Sequence, residues 1–294
     1  MKKILALAMA AAMTLSLAAC GNNSGASSKS NPPANSGGQN SSVSTPTDDS
    51  SAGSSSAGNY GTFTTVEPGV LHMSTNAAFP PYEMTTDDGS FEGIDVEVAQ
   101  AIADKLGLEL KVDDMAFTAA LTAVQTGQSD IAMAGITITE ERLEVMDFSN
   151  SYATGVQVVI VKEDSPIQSI DDLSNAAKIG CQADTTGYIY ASDTPENGGY
   201  GEEHVTAFDT GALAVMALVN NQIDAVIIDN EPAKAYVAAN EGLKILDGEW
   251  VVEDYAIAVA KGNTDLLNAI NTAMAELIDE GVFQQIVDKY ITAD

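Results

Sequence analysis

The chain has 294 residues, 42 acidic side chains against 12 basic ones and a formal net charge of -30. That balance speaks against a nucleic-acid partner, because counterion release needs clustered Lys and Arg, and against lying on an anionic membrane surface. Hydrophobic residues make up 45% of the sequence, enough for a core, so most of the chain is expected to fold.

The N-terminus reads as an export signal. Met1-Lys2-Lys3 is basic, and Ile4 to Leu17 is apolar but too short to span a bilayer comfortably. Leu17-Ala18-Ala19-Cys20 then places small residues before a cysteine and resembles the bacterial lipobox. The resemblance implies a signal peptide over 1–19 and a diacylglyceryl thioether on Cys20. An ordinary secretory signal with an incidental Cys20 is the alternative; the low-complexity tract directly behind the cysteine favours the anchor. Between Gly21 and Thr62 only Val43 and Tyr60 are sizeable apolar residues. Such a segment cannot offset its ordering entropy, so 20–62 is expected to be a flexible tether and 63–294 the folded part. A lipid on Cys20 tethers that part to a membrane without a transmembrane helix.

Folded sequence begins near Val66, with Val70 to Ser74 as a short buried strand. Pro80-Pro81 breaks the chain, and Asp87-Asp88-Gly89 marks a turn. Asp95 is placed to cap a helix carrying Val98, Ile102 and Leu106 at i, i+4, i+8, which Gly107 stops. Leu108 to Val112 alternates like a strand. Thr118 is placed to cap a helix running to Gly127. Asp130 to Ala134 reads as a strand, Thr139 to Val145 as a short helix, and Val156 to Val161 as a strand buried on both faces. The alternation then repeats. Strands are expected at Lys178 to Cys181, Ala225 to Ile228 and Tyr255 to Ala260. Helices are expected from Thr185, over Asp209 to Asn220, Glu231 to Asn240, Leu266 to Leu277 and Gly281 to Tyr290. Strands alternating with helices imply an α/β fold with mainly parallel sheets in two lobes.

Catalytic chemistry is not evident. His72 and His204 have no Cys or His partner at ligand spacing, so no metal is expected. No glycine loop with a Lys is present to hold phosphate. Cys181 reads as a small core residue. Three features point instead to a small zwitterion. In Ala134-Gly135-Ile136-Thr137-Ile138-Thr139-Glu140-Glu141-Arg142 a strand ends at a glycine, and Arg142 offers a planar fork that suits a carboxylate. By itself such a segment is more often a helix cap and a solvated charge. Asp229 ends an apolar strand, where ligands of open α/β sheets bind. It would suit an α-ammonium or simply cap the helix that begins at Pro232. Phe79 and Phe117, each placed in a loop after a strand, would sandwich a ligand side chain or pack in the core.

Asn76 to Glu83, Phe91 to Val96, Ala134 to Arg142 and Asp147-Phe148-Ser149 with Tyr152 together resemble a known family. It comprises the solute-binding proteins of polar amino-acid ABC transporters, family 3, with the type II periplasmic-binding fold. Asp171-Asp172-Leu173, Asp224-Ala225-Val226 with Asp229, and Lys261-Gly262 also fit, so the resemblance runs from about Leu71 to Tyr290. It implies a two-lobed α/β fold with two hinge crossings. Lobe one covers about 66–152 plus 255–294, lobe two about 157–250, with crossings near Ala153-Thr154-Gly155 and Val251-Val252-Glu253. It implies Arg142 as the α-carboxylate clamp, assisted by the backbone N–H groups of Thr137 and Thr186. The Gly135 carbonyl, the Thr137 hydroxyl and Asp229 would hold the α-ammonium. Phe79 and Phe117 would flank the side chain, and Asn76 and Gln182 would line the specificity pocket.

Two positions depart from the family pattern. Asn76 stands where an acid is frequent, which favours a neutral polar side chain. Asp184 stands where glycine is usual and would restore a preference for cationic ligands; a cationic amino acid or cystine is thus the alternative specificity. The implied protein needs no cofactor, is a monomer, faces outward from the bacterial cytoplasmic membrane and delivers its amino acid to an ABC permease. A sensor subunit built on the same lobes is an alternative. A dehydratase would need a general acid that the sequence does not supply.

Overall fold

A computed structural model describes residues 60–291 apart from 176 and 177. The expected signal peptide, Cys20 and nearly all of the tether lie outside the described residues. Among those described, no helix is long and apolar enough to cross a membrane.

The chain opens with β1 (Val70–Thr75), β2 (Ala78–Phe79), β3 (Glu83–Thr85) and β4 (Phe91–Glu92). Next come α1 (Ile94–Leu106), β5 (Glu109–Asp114), α2 (Phe117–Gln125), β6 (Ile131–Ala132) and α3 (Glu140–Val145). A 17-residue strand, β7 (Met146–Lys162), leads to β8 (Ile179–Gln182), α4 (Thr186–Ser192), β9 (Val205–Phe208) and α5 (Gly211–Val219). Then follow β10 (Ala225–Asp229), α6 (Asn230–Ala239), β11 (Leu243–Ile245), β12 (Val251–Ala260), α7 (Thr264–Asp279) and α8 (Val282–Tyr290).

Pairing runs β5-β1-β6-β12-β7-β10-β8-β9, with β11 on β7 and β2-β3-β4 as a small separate sheet. Both ends of the large sheet are parallel, but β7 and β12 are antiparallel to each other and to their outer neighbours. The sheet is therefore mixed rather than mainly parallel. Helical crossovers produce parallel pairs, whereas two strands that carry the chain out of one lobe and back again run in opposite directions.

Hydrophobic packing falls on two sides of this strand pair. One side is built around Leu71, Met73, Ile102, Leu106 and Ile131, covered by the apolar stripe Leu266, Ile270, Ala273 and Leu277 of α7. The other is built around Val158 to Val161, Leu218, Val226 and Ile227, with Leu173 and Cys181. We refer to these sides as the first and second lobes. Burial holds the Cys181 thiol up at about 12, in keeping with an inert core residue.

Between the lobes β7 and β12 lie side by side. Ala153 pairs with Tyr255, Thr154 with Asp254 and Gly155 with Glu253. The Tyr255 ring crosses Gly155 so closely that a Cβ there would lie 2.3 Å from the ring's Cζ and hydroxyl. Gly155→Ala is expected to overpack this crossing at a cost of about 1–3 kcal/mol. In a domain of this size that lowers Tm by roughly 2–12 °C, which a thermal melt followed by circular dichroism would measure.

Candidate functional site

The carboxyl ends of β1, β6, β8 and β10 meet beside the strand pair. There a cavity with about 360 Å³ of atom-free space, part of it open to solvent, is lined from both lobes. Its walls include Asn76, Phe79, Phe117, Gly135, Thr137, Arg142, Gln182, Thr186 and Asp229. All nine residues singled out in the sequence thus reach one place. Glu83, Ala134 and Thr185 line it as well.

Arg142 is placed by a capped turn. The Thr139 hydroxyl accepts the Arg142 N–H at 3.2 Å and starts α3. The Arg142 side chain is buried, and its guanidinium donates from Nη1 to the Thr137 carbonyl at 2.8 Å and from Nη2 to the Asp184 carbonyl at 3.1 Å. The first carbonyl belongs to the first lobe and the second to the other. Asp184 adopts a left-handed φ of 60°, and its carboxylate accepts from the Thr118 hydroxyl across the cleft. The Phe117 ring centroid lies 5.5 Å from the guanidinium carbon, a cation–π distance. Burial lowers the pKa of Arg142, and the charge of Glu253 is the largest influence opposing that shift.

Asp229 ends β10, deep in the same cavity. Its carboxylate accepts from Gln157 Nε2 at 2.9 Å and from the Tyr255 hydroxyl. Burial pushes its pKa up to about 7; the Tyr255 hydrogen bond opposes the shift, and the Glu253 charge adds to it. Although Asp229 occupies the N-cap position of α6, its side chain makes no capping bond. The capping role left open by the sequence is therefore not taken, and the side chain lines the cavity.

An aromatic floor runs from Phe79 through Tyr82, stacked at 5.7 Å, to Tyr255, edge-on at 5.5 Å. Gly135 is needed beside it. Its φ is 54°, and a Cβ there would come within 2.9 Å of the Phe79 ring. Across the cleft, Gln182 Nε2 donates to Asn76 Oδ1 at 2.9 Å.

Several local expectations change. Asp95 does not cap α1. It lies in the first turn, fully buried, and accepts from the Gly135 N–H at 3.1 Å and the Tyr152 hydroxyl at 2.7 Å, while Gly93 takes the capping position. Thr118 does not cap α2 either, because that helix begins one residue earlier, at Phe117. Phe117 is thus a helix residue and Phe79 a strand residue, not loop residues. Asp95 and Thr118 both lie inside the first turn, where their side chains take tertiary partners instead.

Glu83 and Glu253 were not anticipated. Glu83 is fully buried, and neither carboxyl oxygen meets a donor from another residue. Burial, followed by the charge of Asp95, holds its pKa well above the usual range. Burial likewise raises Asp95, to about 6. The only signal for Glu83 was an acid placed directly after an aromatic in a Pro-Pro turn. Nothing local marked Glu253.

Two α/β lobes joined by a strand pair, with an arginine fork and a buried acid in the cleft, define a binding protein for a small polar solute. A family model, described as bacterial extracellular solute-binding proteins, family 3, matches residues 71–293. The chain belongs to this family of extracytoplasmic solute-binding proteins. It is 32% identical to the arginine-binding extracellular protein ArtP of Bacillus subtilis, over 76% of this chain and 87% of that protein. A mutant of ArgBP from T. maritima superposes with a TM-score of 0.70 at 36% identity, covering 76% of this chain and 96% of that one. An ancestral arginine-binding protein bound to glutamine gives 0.71 at 36% identity, covering 77% and 100%.

Proposed function

We propose that the chain captures a free L-amino acid between its lobes and delivers it to an ABC permease, as a monomer anchored to the outer face of the cytoplasmic membrane through Cys20. The two lobes, about 66–152 plus 255–294 and about 157–250, close on the ligand about the β7–β12 pair, a hinge motion whose population the ligand shifts. The observation that carries this reading is Arg142. It is a buried cation whose hydrogen-bond partners are neutral carbonyls, in one cavity with the buried acid Asp229. A zwitterion supplies the opposite charge to each and offsets their desolvation. The α-carboxylate meets Arg142 and the N–H groups of Thr137 and Thr186. The α-ammonium meets Asp229, the Thr137 hydroxyl and the Gly135 carbonyl, and Phe79 and Phe117 flank the side chain.

Glu83 indicates the side-chain class. A fully buried carboxyl without a donor is costly, and a guanidinium or ammonium supplies several donors at once. A basic amino acid, arginine foremost, fits this floor, and the arginine-binding relatives point the same way. The neutral polar reading rests on the Asn76–Gln182 amide pair, which matches a ligand amide, and on the ancestral relative bound to glutamine.

Calorimetry with arginine, lysine, histidine, glutamine and cystine decides between the two. Arginine is expected to bind tightest. Glu83→Gln is expected to weaken arginine at least tenfold while changing glutamine less than threefold. Tighter binding of glutamine than arginine by the wild type would establish the neutral reading instead.

A further inference from the structure

Glu253 is not among the residues that line the cavity, yet it holds two of them, Thr137 and Thr186. It sits on β12 where the chain passes between the lobes, and it is buried. Its Oε2 accepts three hydrogen bonds. They come from the Thr137 hydroxyl of the first lobe at 3.1 Å, the Thr186 hydroxyl of the second lobe at 2.9 Å, and Gln157 Nε2 of β7 at 3.1 Å. The same Gln157 amide donates to Asp229 at 2.9 Å. One carboxylate oxygen therefore ties both lobes and both crossing strands together. Its other oxygen, Oε1, is buried and meets no donor.

We infer that Glu253 is a positioning residue for ligand capture: it locks the Thr137 and Thr186 segments against each other and fixes which way their hydroxyls point. This inference rests on reading the Arg142 end of the cavity as the carboxylate clamp.

The argument for orientation is chemical. A carboxylate only accepts, whereas a hydroxyl donates once and accepts through two lone pairs. Both threonine protons are committed to Glu253, so the hydroxyl oxygens present lone pairs to the cavity. Thr137 is thereby set as an acceptor, which suits an ammonium and not a second carbonyl. The argument for closure is geometric. Thr137 and Thr186 belong to different lobes, and their backbone N–H groups converge on a ligand carboxylate only when both hydroxyls reach the same oxygen. Preorganisation of this kind acts on how long a ligand stays more than on how fast it arrives.

The test uses the purified full chain. Glu253→Ala is expected to raise Kd at least 30-fold, almost wholly through faster dissociation in stopped-flow measurements, with the association rate changed less than threefold. Glu253→Gln keeps the size and one acceptor oxygen, and so a smaller loss of about tenfold is expected. A Kd within threefold of wild type in both Glu253 variants overturns the inference. A second measurement does not depend on the ligand assignment. Spin labels at Gln100 on α1 and Met216 on α5 report the interlobe distance, which is expected to lengthen and broaden in both Glu253 variants. An unchanged distance distribution overturns the locking role even if no amino acid binds the wild type, an outcome that would count against the proposed function alone.

Discussion

Arg142→Ala is expected to abolish measurable capture of the amino acid while leaving the domain folded. Removing one partner of a buried ion pair costs about 3–5 kcal/mol, because the other charge remains desolvated and alone. At 1.36 kcal/mol per decade, affinity falls by roughly two to almost four orders of magnitude. Arg142→Lys is expected to rescue little. The native guanidinium spends two N–H groups on carbonyls of opposite lobes and still has a fork edge for a carboxylate, while an ammonium is a point donor without that planarity. Arg142→Ala also loses the cation–π contact with Phe117, and the Thr137 and Asp184 carbonyls lose a donor. A thermal melt separates these structural losses from the binding loss. A variant with wild-type affinity by calorimetry would remove Arg142 from the clamp and leave the Thr137–Arg142 segment as an ordinary helix start.

The limits of sequence reading here follow from how far apart the interacting residues are. Arg142, shortly after a strand end, and Asp229, at one, drew notice because strand ends are where open α/β sheets bind ligands, but each read equally as part of a helix start until the family resemblance gave it a role. The α1 stripe Val98, Ile102 and Leu106 was visible for the same local reason, and all three are fully buried. The Thr139 cap sits three residues from Arg142, so it too was legible. Glu253 was not, because its partners Thr137, Gln157 and Thr186 lie 116, 96 and 67 residues away. Asp95 was misread for a related reason. As a residue beginning a helix it looks like a cap, but its true partner, Tyr152, is 57 residues downstream. The mixed sheet was missed because period-two alternation reports that a strand exists and not which neighbour it takes.

Asp229→Asn is expected to have two large and opposite effects. Burial raises the pKa of Asp229 from an ordinary 3.8 to about 7, so in ligand-free protein the folded state binds more protons than the unfolded state between those values. Stability contributed by this group is then fully present below pH 3.8 and is lost as pH rises through 7, where the buried carboxylate ionises. Asp95 and Glu83, also raised by burial, act in the same direction. The ligand-free domain should therefore melt at a lower temperature at pH 8 than at pH 5. The substituted amide does not ionise, so the variant should melt above wild type at pH 8 and depend less on pH. Binding responds the other way. The ammonium pairs with the ionised carboxylate, and wild-type affinity should fall below pH 7 by up to tenfold per pH unit. In the variant the ammonium loses its counter-charge, which costs about 3–5 kcal/mol, and the steep acid limb of the profile should flatten. Calorimetry and melting curves from pH 5 to 8 on both proteins measure all four slopes. A variant that keeps both the affinity and the acid limb would show that the α-ammonium is held elsewhere. A variant that is weaker but melts no higher at pH 8 would show that the closed site already compensates the Asp229 charge through Tyr255 and Gln157, and that the ligand contributes contact rather than relief of a buried charge.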